Sequence, residues 1–145
     1  YFQYMISFDE TYGSTANAAF WVRIGTGGTP TYQSGGSDYR MLKTGSFSGS
    51  SSIGYDATAA QIQPFGTAGS TNIDNAFSGK LIFYNPSKTT SYHNMSFDIA
   101  CKGNDGNVYI FYGYGTYLSA TAITAFRIMA STGNINGTFR LYGLK

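Results

Sequence analysis

Apolar and polar side chains alternate every second residue along almost all of this chain, a period that suits β-strands and little else. Successive side chains of a strand point to opposite faces, so alternation gives each segment one buried and one wetted side. Phe2, Tyr4, Ile6 and Phe8 fall on one side of the first segment, with Gln3 and Ser7 on the other. Phe20, Val22 and Ile24 oppose Trp21 and Arg23 in the next. Leu81 and Phe83 oppose Ile82 and Tyr84 before the run stops at Asn85-Pro86, and Met95, Phe97, Ile99 and Cys101 share one face of Ser91–Cys101. Short strands are also expected at Asp38–Lys43, Thr58–Phe65, Asn107–Tyr114, Ile123–Met129 and Thr138–Tyr142. Pro64 marks a strand end or an edge strand, since it cannot donate to a ladder.

The connections read as turns. Gly25-Thr26-Gly27-Gly28-Thr29-Pro30 and Gly103-Asn104-Asp105-Gly106 favour positive φ and tight reversal. Ser131-Thr132-Gly133-Asn134 separates the last two strands, which are expected to pair as a hairpin. Gly45–Gly54, rich in Gly and Ser, reads as a long surface loop, and Ala16–Ala19 as a loop or the approach to a strand. The expectation is an all-β, antiparallel, jelly-roll-like sandwich of about nine strands forming a single domain over residues 1–145.

Composition agrees. Charged residues are 11% of the 145, against roughly 25% in an average soluble domain. Aromatics reach 17%, from 13 Tyr, 11 Phe and 1 Trp, residues that fit a pleated surface. The net charge of +2 comes from scattered basic residues with no run or stripe, so nucleic acid is not an expected partner. No apolar stretch approaches the length of a membrane-spanning helix, and no basic segment leads into an apolar run, so neither membrane insertion nor a signal peptide is expected. The first residue is Tyr and a strand begins at once, which fits part of a longer polypeptide.

Nothing in the residue pattern points to catalysis or a cofactor. His93 stands alone on the face shared by Met95 and Phe97, with Asp98 directed away from it, and is read as structural. Cys101 is likewise read as a small core residue. Gly45-Ser46-Phe47-Ser48-Gly49 lacks the strand-turn-helix context of a nucleophile elbow. Asn72, Asp74 and Asn75 carry the oxygen ligands that calcium takes, but their spacing matches no EF-hand loop, and no metal is expected. Asp9-Glu10 follows a strand and is expected in a turn, not as half of a hydrolytic carboxylate pair. Gly25-Thr26-Gly27-Gly28 lacks the Lys and the helix of a phosphate-binding loop. The suggestive feature is aromatic density. Tyr109, Tyr112, Tyr114 and Tyr117 crowd one region, as a contact surface either for other subunits or for a glycan whose sugar faces stack on the rings.

The chain's ending resembles a family of uncharacterised bacteriophage virion domains. Ala122-Ile123-Thr124-Ala125-Phe126-Arg127, then Ser131-Thr132-Gly133-Asn134, then Gly137-Thr138-Phe139-Arg140-Leu141-Tyr142-Gly143 is similar to their "AIT-x-[IF]-R … SGN … G-T-x-x-LYG" ending. Phe20-Trp21-Val22-Arg23 with Gly27-Gly28, Tyr32, Ser34-Gly35 and Tyr39 resembles their N-terminal half, and Leu81-Ile82-Phe83-Tyr84-Asn85-Pro86 a middle strand. The resemblance implies a virion structural protein at the particle surface, in a tail fibre, tail spike or related appendage, serving assembly and host attachment. Its implied partners are other virion proteins, further copies in a homotrimer, and a host surface glycan. Capsid decoration or a head fibre is the alternative within that class, and a carbohydrate-binding module the alternative outside it. The resemblance brings no catalytic residues and no cofactors.

Overall fold

A computed structural model describes residues 2–47, 50–65, 71, 73–102 and 106–145. It is an all-β sandwich in which every paired strand is antiparallel. Among the described residues there are eleven strands: β1 (Gln3–Gly13), β2 (Phe20–Thr26), β3 (Thr31–Tyr32), β4 (Tyr39–Phe47), β5 (Ser50–Ala59), β6 (Ile62–Phe65), β7 (Phe77–Tyr84), β8 (His93–Lys102), β9 (Val108–Tyr117), β10 (Ile123–Ala130) and β11 (Ile135–Leu144). Seven form one sheet in the order β11-β1-β7-β8-β9-β4-β5. Four form the other, where β2 is flanked by β10 on one side and by both β3 and β6 on the other.

The strands follow the alternation. Ile6, Phe8, Leu81, Phe83, Met95, Phe97, Ile99 and Cys101 from the large sheet meet Phe20, Val22, Ile24, Ile62 and Phe65 from the small one in a single core. Aromatic rings dominate one end of it. Phe20 sits 5.3 Å from Phe8 and 5.1 Å from Phe77, with Phe65 5.2 Å beyond, in the tilted and edge-on geometries that ring quadrupoles favour. Glycines let the sheets close. Ile62 lies against Gly115, where a Cβ would stand 2.5 Å from its Cδ1.

Three local expectations are corrected. Gly45–Gly54 is not a loop, because β4 runs to Phe47 and β5 starts at Ser50, with Thr44 paired to Ile53. Asp9 and Glu10 lie within β1, at a bulge where Glu10 takes a φ of 47°, not in a turn. The final two strands are not a hairpin. β10 pairs with β2 and β11 with β1, so the two arms of the chain form one antiparallel ribbon bent from sheet to sheet, the jelly-roll element of the fold. The paired crossings are tied together. Ser131 N–H donates to the Ala19 carbonyl (2.8 Å), Ala19 N–H to Ser131 Oγ (2.9 Å), and Asn134 N–H to Ser14 Oγ (2.8 Å). Gly133, at φ 71°, permits the second crossing. The Gly25–Pro30 segment does make the expected β2–β3 reversal, with Gly27 at φ 90°. The turn at Gly103–Gly106 falls largely outside the described residues, as does Asn72.

Candidate functional site

The side of the large sheet that faces away from the core carries an unusual load of apolar groups. Strand register lays it out in rows. One row runs Tyr142, Met5, Ile82, Ser96, Tyr114, Leu42, Tyr55, and the next Arg140, Ser7, Lys80, Asp98, Tyr112, Thr44, Ile53. Ile110, opposite Ala100 and Ser46, extends the surface. On β9, β4 and β5 the rows become almost wholly apolar. Ile53 is 77% exposed, Tyr55 63%, Tyr114 62% and Tyr112 53%, with Leu42 and Ile110 close behind. Lys80 and Asp98, 3.8 Å apart and both half-exposed, mark the polar side of this patch. Arg40, Leu42, Tyr55, Tyr114 and Thr116 line a shallow depression within it, and Thr116 Oγ1 donates to Asn94 Oδ1 (2.9 Å) beside it.

The four tyrosines singled out in the sequence divide by parity. Tyr112 and Tyr114 project onto this exposed face. Tyr117 is buried, its ring 5.5 Å from that of Tyr39 and stacked 6.3 Å from His93. Tyr109 is half-buried on the core side, stacked parallel to Phe111 at 6.1 Å. Leu42, Ile53 and Tyr55 are not among the residues the sequence singles out: Ile53 falls within the expected Gly45–Gly54 loop, Tyr55 directly after it, and Leu42 in the expected strand Asp38–Lys43. The alternation of Ile53 and Tyr55, two apart, was the available signal.

The chemistry-bearing residues do not converge. His93 is buried on the core face, and its Nε2–H donates to the Thr121 carbonyl at 2.9 Å, since a carbonyl can only accept. Asp98 points to the opposite face, toward Lys80. Cys101 is buried in the core. Asp9 is exposed and accepts from Ser78 Oγ and the Glu10 N–H, which hold its carboxyl below the usual range. Asp74 and Asn75 lie in a short 3₁₀ turn, Ile73–Asn75. Among the described residues no three His, Cys, Asp or Glu side chains are grouped as metal ligands would be. No helix among the described residues is long and apolar enough to cross a membrane. No family model, curated protein or solved structure matches the chain.

Proposed function

We propose that this chain is an exposed β-sandwich domain of a bacteriophage virion structural protein, in a tail fibre, tail spike or related appendage, serving assembly and host attachment rather than catalysis. The observation that supports assembly is the apolar face of β9, β4 and β5. Leu42, Ile53, Tyr55, Ile110, Tyr112 and Tyr114 stand together in water, where a patch of this kind marks an interaction surface. Further copies of the chain are its occupant, as in the homotrimers typical of fibre and spike domains like those the sequence resembles. A carbohydrate-binding module is the second reading, favoured by the depression between Tyr55 and Tyr114. Aliphatic Leu42, Ile53 and Ile110 weigh for assembly, because sugar faces stack on rings whereas protein interfaces bury aliphatic and aromatic groups alike.

Light scattering on the purified chain tests the assembly, and gold-labelled antibodies against it, applied to intact phage particles, test the location. A mass three times that of the chain, with label on the particle surface, is expected. A monomer at high concentration together with unlabelled particles would overturn the reading.

A further inference from the structure

The outer face of the small sheet is built differently. Arg23 on β2 and Arg127 on β10 are direct cross-strand partners, and Trp21 pairs with Met129 one step along the same face. Tyr32 folds over Gly25, where a Cβ would come 3.2 Å from its ring. Arg23 sits 5.8 Å from the Trp21 ring centroid and Arg127 5.8 Å from that of Tyr32. The face therefore presents a ring, two guanidinium groups and a second ring.

Like charges placed directly opposite in a sheet destabilise it, yet no carboxylate of the described residues pairs with either arginine. Lys80 takes Asp98 on the other sheet, and Asp38 is held by the Gly35 N–H. The nearby amides already turn an oxygen toward this cluster: Gln61 Oε1 accepts from Arg23 Nη2 and Gln63 Oε1 from Trp21 Nε1, both at 3.2 Å, and each amide NH₂ remains a donor. Arg23 Nε–H is in addition a buried donor with no acceptor.

We infer that this face binds an acidic polysaccharide, with sugar carboxylates bridging Arg23 and Arg127 and sugar rings lying against Trp21 and Tyr32. Guanidinium groups match the planar carboxylate through paired N–H donors, and the rings supply the apolar contact that sugars need. Two arginines are too few for a nucleic-acid backbone, which is held by clustered cations. A polymer with one carboxylate per sugar meets the site repeatedly along its length. The inference does not rest on the virion reading, because the face lies on the sheet opposite the proposed assembly surface.

Calorimetric titration of the chain with oligogalacturonate tests it, against a neutral glucan of equal length, a polyglutamate peptide and a single-stranded oligonucleotide. Oligogalacturonate alone should bind, more weakly as salt is added. Arg127→Gln should weaken it about tenfold or more, with an unchanged or higher melting temperature, since the replacement also removes a like-charge contact. Tyr32→Ala should weaken binding of the same ligand without loss of the β-sheet circular dichroism. Failure of oligogalacturonate to bind would overturn the inference. So would equal binding of the glucan, the peptide or the oligonucleotide, or an undiminished affinity in Arg127→Gln.

Discussion

The Tyr39 hydroxyl stands on the side of β2 away from β10, in the gap between the short pairings of β2 with β3 and β6. Ile24 N–H donates to it at 2.8 Å, and it donates in turn to the Gln33 carbonyl at 3.1 Å. The large sheet thus completes the hydrogen bonding of the small one. Tyr39→Phe keeps the ring and leaves a buried N–H unpaired, so it should cost about 1–3 kcal/mol in urea unfolding at pH 7. The same phenol makes a second prediction. Burial, more than any other influence, pushes its pKa from 10.0 up to about 12. The folded state then holds this proton more tightly than the unfolded one, so Tyr39's contribution is complete below pH 10 and is lost as pH rises from there toward 12, by about 2 kcal/mol. Lys43 acts with the opposite sign. Burial lowers its pKa, so stability rises with pH between that lowered value and 10.5. A pH series of unfolding curves on wild type and Tyr39→Phe separates the two. The difference between them should shrink above pH 10, and a constant difference would refute the assignment.

At the level of elements, Gly115 on β9 is the seat of Ile62 on β6. Ala is ordinarily the better residue within a strand, but here a Cβ would press on Ile62 Cδ1, Cγ1 and Cγ2 at 2.5–2.9 Å. Gly115→Ala should therefore destabilise by about 1–3 kcal/mol, as overfilled cores do. Gly36→Ala, with open space around it, should be neutral or slightly stabilising. Thermal unfolding of both variants checks the pair, and equal effects would mean the sheets do not close on this contact. What could be read from the sequence is what period two encodes, namely which side of β1, β2, β7 and β8 is buried. Pairing was not legible. Ser131-Thr132-Gly133-Asn134 has the residues of a hairpin, and nothing local records that it is bonded to Ser14 and Ala19 and hands the chain to the other sheet. β5 was hidden for a related reason. Its Ser and Gly have the composition of a loop, and they become strand through the ladder with β4. The contact surface was half legible, since Tyr112 and Tyr114 stood out but their neighbours Leu42 and Tyr55 come from strands brought alongside by that pairing.

For the molecule as a whole, the two outer faces differ in chemistry, with apolar groups on the large sheet and guanidinium groups on the small one. The edges matter too. β5 and β11 end the large sheet, and Phe139 and Leu141 remain exposed beside a groove of about 360 Å³ shared with Phe126 and Ile128 of β10. Edge pairing between copies would use these strands, whereas face-to-face assembly would use Leu42, Ile53 and Tyr114. Substitutions distinguish the two. Ile53→Thr with Tyr114→Thr removes apolar surface already in water, so the isolated subunit should keep its stability to within about 0.5 kcal/mol. Assembly through that face should be abolished, because exposed apolar area drives it. Assembly adds stability by mass action, so the wild-type melting temperature should climb with protein concentration and that of the double variant should stay flat. Leu141→Thr on the β11 edge should leave the wild-type climb intact. If Leu141→Thr flattens it and the double variant does not, the subunits meet along their edges and the face of β9, β4 and β5 serves another partner.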